Sequence, residues 1–559
     1  MVEKVEFKTY REMPIRPMTV TDMLWNRTGS WRNIRPYYDF KTSPCKVGCP
    51  TGENIQRYIY LVTENDYEQA WKTIIDSNPM PAITGRVCFH PCMSNCTRGE
   101  FDEPVNINAI ERSIGDKGIE NPGWMKKSKG SKKEKVAVVG SGPAGLSCAF
   151  YLARQGYPVT LFEMEKALGG ILRWGIPEYR LPNDTLDKVV GAIVDSGPIT
   201  VKTGIKVGRD IGFEEIDKEY DAVFLGLGLT RSREIGIDNE DCDGVQPGLE
   251  FLKRINSGEK VDPGKKVAVI GGGNTAMDVA RSALRCGSDV TVFYRRTIAE
   301  MPAIREEIEE AEKEGVKFYF LSAPKEIVTK EGKLSSVIFQ KMKLGEPDDS
   351  GRRRPVPVEG DTFEMDFDSL FPAIGEQADL DKFGDHLETE WNLICSKGEY
   401  GETSNDKLFA GGDIVTGAAS VVEAIAAGRK SAERIERFLS KEEEPVETPA
   451  DIVGIDDMNT AYFSKVDQNR VPRIPAAEIR GSFREIETGY TDRLLHSEAD
   501  RCFSCGVCNY CDNCWVFCPD TAIKRNKDDY EIDLDYCKGC LVCVEECPRS
   551  ALSTREEGR

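Results

Sequence analysis

The cysteines near the end of the chain have the most informative spacing in the sequence. The last sixty residues contain ten of the 19 cysteines, and eight of these form the pattern C-x2-C-x2-C-x3-C-P twice. The two runs are Cys508, Cys511, Cys514 and Cys518, followed by Cys537, Cys540, Cys543 and Cys547. A [4Fe-4S] cube needs one thiolate for each iron, so three closely spaced cysteines can bind three of its corners. The repeat therefore predicts two [4Fe-4S] clusters and the transfer of single electrons.

The fourth thiolate of each cube must come from farther along the chain. In two-cluster ferredoxins the last cysteine of each run binds the cluster of the other run. We therefore predict one cluster on Cys508, Cys511, Cys514 and Cys547, and a second on Cys537, Cys540, Cys543 and Cys518. The alternatives are zinc, which usually takes paired C-x2-C knuckles, and a disulfide scaffold.

Two further cysteines, Cys502 and Cys505, precede the first run with the same three-residue step. They could shift the ligand register to Cys505, Cys508 and Cys511. The proline that follows Cys518 favours the later register. We therefore interpret Cys502 and Cys505 as structural or supernumerary.

A glycine-rich loop between a predicted strand and a predicted helix indicates a first nucleotide site. The sequence predicts a buried strand over 135–139, a helix over 146–155, and a second strand that ends at Glu163. The G-x-G-x-x-G loop between them contributes Gly140, Gly142, Pro143, Ala144 and Gly145. Its glycines let the backbone approach a pyrophosphate at the helix N-terminus, and the acid can accept a hydrogen bond from a ribose hydroxyl. The combination predicts an FAD site; the alternative is a structural glycine turn.

The same pattern returns about 130 residues later in the chain. A strand over 266–270, a helix over 275–285 and a strand over 289–294 surround a G-x-G-x-x-A loop. The loop contributes Gly271, Gly273, Asn274, Thr275 and Ala276. Here the second strand is followed by Arg295 and Arg296, and an arginine pairs with a 2′-phosphate that an acid would repel. This site is predicted to bind NADPH in preference to NADH; the alternative is a solvated arginine pair.

Composition limits the classes of partner and compartment. No apolar stretch approaches the roughly 18 residues of a membrane span, and the first residues lack a signal-peptide core. We expect a cytoplasmic protein in a reducing, oxygen-poor setting, because the cysteines group as metal ligands. The net charge of −20 argues against nucleic-acid and anionic-membrane partners. Three histidines in 559 residues disfavour histidine-based acid–base catalysis.

Several shorter motifs resemble one flavoprotein family. Leu408-Phe-Ala-Gly411-Gly412-Asp413 precedes a helix of small residues, and Leu168-Gly169-Gly170 follows the first fold. With Cys49-Pro-Thr-Gly, Gly85-Arg-Val-Cys88, Cys96-Thr-Arg-Gly and Glu300-Met-Pro-Ala303, they resemble the glutamate synthase small-subunit family and the N-terminal half of dihydropyrimidine dehydrogenase. The resemblance covers roughly residues 40–440. It implies that Gly412 and Asp413 contact the ribityl chain and phosphate of FAD, and that Gly169 and Gly170 lie on the flavin side.

The resemblance also implies an iron–sulfur site near the N-terminus. The family's helical domain normally holds two [4Fe-4S] clusters, and this chain keeps only part of their ligands: Cys45, Cys49, Cys88, Cys92 and Cys96. By resemblance, Cys49, Cys88, Cys92 and Glu111 bind the cluster nearer the flavin. We expect this one N-terminal cluster, hence about twelve irons in all. Alternatively, Cys45 or Cys96 replaces Glu111, which is then an ordinary helix-surface acid; otherwise Cys45 and Cys96 are free thiols or pair with each other.

The predicted fold class is a multidomain α/β protein with nested nucleotide domains. The predicted regions are an N-terminal region with the helical [4Fe-4S] domain over 1–125, a linker over 126–134, a discontinuous FAD domain over 135–250 and 376–440, an NADP domain over 251–375, an extended tether over 441–500, and a ferredoxin-like domain over 501–559.

An NADPH-linked iron–sulfur flavoprotein is the leading functional hypothesis. A nicotinamide delivers two electrons as hydride, a cluster accepts one, and FAD can do both. We predict an NADPH:ferredoxin or NADPH:acceptor oxidoreductase without a catalytic acid or base, serving a catalytic partner subunit or ferredoxin in either direction. One alternative is the small subunit of NADPH-dependent glutamate synthase, which the ferredoxin tail disfavours. Another is a redox sensor or assembly module without turnover, which two intact nucleotide loops disfavour.

Overall fold

The computed structural model describes residues 27–348, 351–380, 386–442, 449–475, 478–527 and 529–557, together with residues 9, 12 and 383. These residues form a helical region, two α/β domains of which one is inserted in the other, and a small C-terminal domain. The predicted α/β multidomain fold class is confirmed.

Short helices build the helical region. They are α1 (Pro44–Gly48), α2 (Ile55–Thr63), α3 (Tyr67–Ile75), α4 (Pro81–Val87), α5 (Pro91–Ser94) and α6 (Ile107–Glu120). Asp66 and Asn106 cap α3 and α6 by accepting backbone N–H groups of their first turns. Glycines let α4 and α6 cross closely, because a Cβ on Gly85 would lie 2.4 Å from the Arg112 Cα. This crossing helps to set the position of the loops that carry the N-terminal cysteines.

The first α/β domain has a five-stranded parallel sheet in the order β17-β5-β2-β3-β4. Its elements are β2 (Val136–Val139), α7 (Pro143–Arg154), β3 (Val159–Glu163), α8 (Ile171–Trp174), α9 (Asn183–Val194), β4 (Ile199–Thr203), α10 (Phe213–Glu219), β5 (Ala222–Leu225), β17 (Leu408–Ala410), α14 (Asp413–Thr416) and α15 (Val421–Ser440). Strands β2 and β5 are wholly buried and apolar, as expected where helices cover both faces of a parallel sheet.

The second α/β domain lies between β5 and β17 in the chain and has a parallel sheet in the order β13-β7-β8-β9. Its elements are α11 (Gly248–Asn256), β7 (Lys266–Ile270), α12 (Asn274–Arg285), β8 (Asp289–Tyr294), α13 (Arg305–Glu314), β9 (Lys317–Phe320) and β13 (Ser369–Pro372). The same domain contains a second, antiparallel sheet of three strands: β10 (Ser322–Lys330), β11 (Lys333–Pro347) and β12 (Arg353–Asp366).

Two strands join the α/β domains where the chain leaves one and returns from the other. They are β6 (Arg231–Ser232) and β14 (Glu376–Gln377), which pair antiparallel. A small hairpin of β15 (Thr389–Glu390) and β16 (Leu393–Ile394) follows. The two domains that carry the nucleotide loops are therefore connected by two short chain segments that pair with each other.

The C-terminal domain pairs with the chain segment that precedes the helical region. Its elements are α17 (Asn513–Val516), β18 (Ile523–Arg525), β19 (Tyr530–Ile532), α18 (Val542–Glu545) and β20 (Leu552–Glu556). Strand β20 is antiparallel to β1 (Ile34–Tyr38). A Cβ on Gly539 would lie 2.1 Å from the Ile34 carbonyl oxygen, so the two segments are in close backbone contact.

The segment predicted as a tether packs against the helical region over its described residues 449–475 and 478–500. Thr42 forms an isolated bridge with Ile452, and Val453 is fully buried. Helix α16 (Asp492–Ala499) places Leu495 in the same apolar core as α2, α3 and α6. This packing sets the position of the residues that follow α16.

A buried ion-pair cluster in the second domain provides a stability prediction. The Glu314 carboxylate pairs with Arg281 and with Arg285 at 2.6 Å, and all three side chains are at most 3% exposed. Removing one partner of such a pair costs about 3–5 kcal/mol. We expect Glu314→Gln to lower the free energy of unfolding by that amount in denaturant titrations. Glu309→Gln, which removes an exposed pair with Arg305, should cost less than about 0.5 kcal/mol.

The same carboxylate gives this contribution a pH dependence. Burial raises the pKa of Glu314, but hydrogen bonds from Arg285 and Arg281 outweigh it and lower the pKa below its usual value. The stabilisation is therefore present above the unfolded-state pKa of about 4.3 and is lost as pH falls through the lower folded-state pKa. A difference between wild type and Glu314→Gln that stayed constant from pH 7 to pH 3 would contradict this.

Candidate functional site

The first glycine loop has the geometry of a pyrophosphate cradle. Gly140 has φ +97°, and a Cβ there would lie 2.3 Å from the Gly226 carbonyl oxygen. A Cβ on Gly145 would lie 1.9 Å from the Gly140 carbonyl oxygen, so this glycine lets α7 pack against the loop. A Cβ on Gly142 would have no atom of the described residues within 4 Å. The three glycines thus match a tight turn, an open approach for a phosphate and a close helix contact.

Glu163 lies at the end of β3 and is 5% exposed. Its carboxylate accepts hydrogen bonds from the Ser141 N–H at 3.0 Å and from the Ser141 hydroxyl. Its other oxygen accepts the Glu165 N–H at 2.8 Å. These bonds hold the acid beside the loop, where a ribose hydroxyl of a bound dinucleotide would reach it.

Two other segments converge on this loop. A Cβ on Gly170 would lie 2.8 Å from the Gly142 Cα, and Gly169 N–H donates to the Ser141 hydroxyl at 3.0 Å. Gly412, at φ +77°, is the N-cap of α14, and a Cβ there would lie 3.1 Å from the Ala144 Cβ. The predicted FAD residues Gly140, Gly142, Pro143, Ala144, Gly145, Glu163, Gly169, Gly170, Gly412 and Asp413 are therefore brought together, and their roles remain predictions.

Asp413 occupies the first turn of α14. Burial raises the pKa of its carboxyl to about 6, and a hydrogen bond from the Ala419 N–H opposes that shift. A carboxyl in this position can accept a hydrogen bond from a hydroxyl-bearing ligand. The site therefore fits the ribityl contact that the family resemblance implies.

The second loop repeats the geometry of the first. A Cβ on Gly271 would lie 2.1 Å from the Ala373 carbonyl oxygen. A Cβ on Gly273, by contrast, would have no atom of the described residues within 4 Å. The Asn274 side chain accepts the Ile304 N–H at 2.9 Å, which ties the loop to the start of α13. Thr275 and the buried Ala276 begin α12 behind the loop. The loop fits a second dinucleotide.

The two arginines after β8 occupy different environments. Arg296 is 5% exposed, pairs with Asp348 at 2.7 Å and donates to the Arg353 carbonyl oxygen at 2.7 Å. Arg295 is exposed, and its side chain makes no ion pair with any residue of the described ranges. Arg296 therefore stabilises the fold through these contacts, and Arg295 remains the candidate for binding a 2′-phosphate.

Glu376 in β14 is a site residue that sequence analysis missed. Burial raises its pKa, which a hydrogen bond with Thr275 of the second loop opposes, and the Glu376 carboxylate in turn raises the pKa of Asp413. One side chain thus lies within electrostatic reach of both nucleotide sites. No motif in the sequence marks Glu376, because its proximity to Thr275 depends on the fold.

The C-terminal cysteines line two separate cavities. The first is lined by Cys508, Cys511, Cys514 and Cys547, and the second by Cys518, Cys537, Cys540 and Cys543. This grouping is the crossed arrangement that the sequence predicts, and the ligand assignment remains a prediction. In the described residues no three His, Cys, Asp or Glu side chains converge closely enough for one ion. A cube binds its thiolates through four separate irons.

The N-terminal candidate ligands also lie together. Cys49, Cys88 and Cys92 interact electrostatically with one another and with Glu111. Glu111 is only 4% exposed, so it is not the helix-surface acid of the alternative interpretation. The four side chains fit the cluster site that the family resemblance implies.

Two further buried residues, Glu53 and Tyr58, belong to this site and were not predicted. Asn78 donates to Glu53 at 2.9 Å and to Glu111 at 3.0 Å, so one amide holds both carboxylates. Burial raises the pKa of Glu53 to about 7 and that of Glu111 well above its usual range. The buried Tyr58 hydroxyl has no hydrogen-bond partner among the described residues and lies near both acids and Cys92.

Comparisons with known proteins agree with this arrangement. The pyridine nucleotide-disulphide oxidoreductase model matches residues 134–428. The 4Fe-4S cluster model of dihydropyrimidine dehydrogenase domain II matches 38–122, and a 4Fe-4S binding domain matches 530–553. The structure also contains, in its described part, no helix with the length and apolar character of a membrane span.

Curated relatives are similar over most of this chain. The NADP(+)-dependent formate dehydrogenase subunit beta of Moorella thermoacetica is 38% identical over 504 residues, covering 84% of this chain and 71% of that protein. The NADPH-Fe(3+) oxidoreductase subunit beta of Geobacter sulfurreducens strain DL-1 / KN400 is 35% identical, covering 85% and 76%. The glutamate synthase (NADPH) small chain of Escherichia coli strain K12 is 38% identical, covering 71% and 88%.

These matches confirm the predicted FAD, NADP(H) and [4Fe-4S] cofactors and the oxidoreductase class. They also confirm the predicted resemblance, which rested on the two glycine loops and the cysteine motifs. The chain therefore belongs to the pyridine nucleotide-disulphide oxidoreductase family, as a glutamate synthase small-subunit-like member with an N-terminal iron–sulfur domain and a C-terminal 4Fe-4S domain.

Proposed function

We propose that this chain transfers electrons between NADP(H) and the catalytic subunit of a larger oxidoreductase complex. Two of its relatives are named as beta subunits of NADP(H)-dependent oxidoreductases. FAD supplies the exchange between one electron pair and single electrons. The residues of this chain bind and orient the cofactors, and no acid or base is required from them.

The observation that carries the proposal is a series of contacts through helix α15 that links the FAD loop to the N-terminal cysteine site. Helix α15 packs along α7 so closely that a Cβ on Gly428 would lie 2.1 Å from the Ala144 carbonyl oxygen. The next residue, Arg429, donates to the Thr51 carbonyl oxygen at 2.9 Å. Thr51 in turn contacts the Cys49 Sγ at 3.1 Å. One helix thus joins the flavin loop to the first cluster site.

Features of the C-terminal domain support an electron exit to another protein. Cys511 and Cys540 are exposed, one in each cluster cavity. Trp515, Val516 and Phe517 beside the first cavity are 43%, 63% and 46% exposed. Aromatic side chains are enriched in protein interfaces, and two of these three exposed residues are aromatic. We place the partner subunit here.

Anaerobic coenzyme oxidation tests the proposal. We expect NADPH to bleach the flavin and iron–sulfur absorbance of the purified chain and to support steady viologen reduction, with NADH much less effective. Glutamine and 2-oxoglutarate, added without a partner, should leave NADPH oxidation unchanged. Absence of both bleaching and viologen reduction in protein that contains FAD and iron would contradict the proposal and favour a redox sensor.

A further inference from the structure

Four cysteines near the junction of the helical region and the C-terminal domain lie outside the sites described above. Cys45 belongs to α1, Cys96 follows α5, and Cys502 and Cys505 follow α16. All four are free, so the predicted alternative of a Cys45–Cys96 disulfide is wrong. Cys45, Cys96 and Cys502 pack against the apolar core that α2, α3, α6 and α16 share, and Cys505 follows Cys502 by three residues. Each of the four thiols lies within electrostatic reach of the other three. The fold thus assembles a four-thiol group from three distant segments.

We infer that Cys45, Cys96, Cys502 and Cys505 bind an additional [4Fe-4S] cluster, with two ligands from the helical region and two from the C-terminal segment. The inference replaces the expectations that Cys502 and Cys505 are supernumerary and that the N-terminal half holds a single cluster. The chain lacks two cysteines of the family's outer site, and the C-x2-C pair at 502–505 supplies the same number of thiolates.

The backbone at Cys502 matches that at the predicted cluster cysteines. The Ser504 N–H lies 3.4 Å from the Cys502 Sγ, and Ser504 has φ +52°. The equivalent turns after Cys88 and Cys508 have N–H to Sγ distances of 3.3 and 3.4 Å, with φ +53° at His90 and +60° at Tyr510. Left-handed backbone is uncommon outside glycine, so a turn shared by three cysteines indicates a shared task. Hydrogen bonds to sulfur are one of the means by which proteins tune cluster potentials.

Positive charge and burial around the four thiols suit an anionic cluster. Arg501 lies within electrostatic reach of Cys96, and Arg549 within reach of Cys502. Arg501 is itself buried and held by Glu498 at 2.6 Å. Buried thiols rarely ionise alone, whereas metal binding releases their protons.

The proposed site lies between the other cluster sites, and its role as a relay rests on the proposed function. Cys45 and Cys96 are each four residues from a ligand of the flavin-side site, Cys49 and Cys92 respectively. At the other end, Cys505 precedes Cys508 of the first C-terminal site by three residues. A cluster here would connect two electron carriers that the fold otherwise separates.

Metal analysis of the full chain, purified anaerobically, tests the inference. We expect about 16 irons and 16 acid-labile sulfides per FAD, without zinc, because four cubes carry four irons each. About 12 irons per FAD would overturn the inference. Four thiolates also suit zinc, so about 12 irons with one zinc would replace the cluster by a structural ion.

Substitutions locate the additional irons. We expect Cys502→Ser with Cys505→Ser to lose about four irons per FAD and about one reduced-state spin by EPR, with FAD content and flavin bleaching by NADPH unchanged. Cys242→Ser with Cys286→Ser, which alters two cysteines that are not candidate cluster ligands, should keep all the irons. Cys45→Ser with Cys96→Ser tests the same site from the helical region if the first variant does not fold.

The outcomes separate this inference from the proposed function. A variant pair that retains its full iron content would overturn the additional cluster, whatever the activity. Failure of NADPH to bleach the wild-type flavin would contradict the proposed function, while the iron count would still decide the inference.

Discussion

Gly142→Ala is expected to yield a folded protein that contains its iron–sulfur clusters but has lost most of its FAD. Gly142 has φ −67° and ψ −177°, which alanine adopts without strain, and a Cβ there meets no described atom within 4 Å. The open space is where the loop should receive the pyrophosphate, so the methyl group should displace the ligand and not the fold. Hydrogen bonds to charged groups contribute about 1.5–3 kcal/mol each, so we expect FAD affinity to fall about 100-fold.

Two other glycines provide matched controls for this prediction. Gly191 in α9 also has open space, and Gly191→Ala should retain FAD and gain up to about 1 kcal/mol from helix propensity. Gly145→Ala would place its Cβ 1.9 Å from the Gly140 carbonyl oxygen and should destabilise the domain itself. Flavin fluorescence of the released cofactor and denaturant titration of the apoprotein separate the three. Wild-type FAD content in Gly142→Ala would refute the assignment of this loop.

The features that the sequence predicted well are those in which spacing along the chain fixes the geometry. In each G-x-G-x-x-G or G-x-G-x-x-A loop the strand, turn and helix are contiguous, so the glycine roles follow from one local motif. The C-terminal cysteine runs have the same property. Even the crossed grouping of Cys518 and Cys547 in the two cavities agrees with what the repeat predicts, because in two-cluster ferredoxins the last cysteine of each run binds the other cluster.

The features that the sequence did not reveal depend on contacts between distant segments. Cys45 and Cys502 are more than 450 residues apart in sequence, and nothing local indicates that the packing of α16 brings them together. The pairing of β1 with β20 is similarly remote. Glu53 shares Asn78 with Glu111 only because α2 and α6 belong to one helical core.

The same distinction explains the arginines after β8. The sequence treats Arg295 and Arg296 as equivalent, because both follow the strand where a 2′-phosphate would lie. The structure separates them, since in the bend after β8 Arg296 pairs with Asp348 and donates to the Arg353 carbonyl oxygen, whereas Arg295 is exposed. Arg295 is therefore the one of the two that remains available to bind a 2′-phosphate.

Arg295→Glu is accordingly expected to change coenzyme selectivity more than any other single substitution at the second loop. It removes a charge-assisted pair with the 2′-phosphate, which contributes about 1.5–3 kcal/mol, and adds repulsion. We expect kcat/KM for NADPH to fall about 100-fold, with less than about a threefold change for NADH. Stopped-flow measurement of flavin reduction by each coenzyme reports the two effects directly.

A comparison of the effects of Arg295→Glu on flavin reduction by NADPH and by NADH identifies the group that Arg295 binds. Arg493→Glu makes the same change of charge at an exposed position in α16 and should leave both rates unaltered. An equal loss with NADPH and NADH would mean that Arg295 contacts a group common to both, such as the pyrophosphate. Unchanged rates with both would remove the basis for NADP selectivity at this strand end. Arg296→Ala, by contrast, should weaken the β8–β12 contacts first, because its guanidinium joins Asp348 to the start of β12.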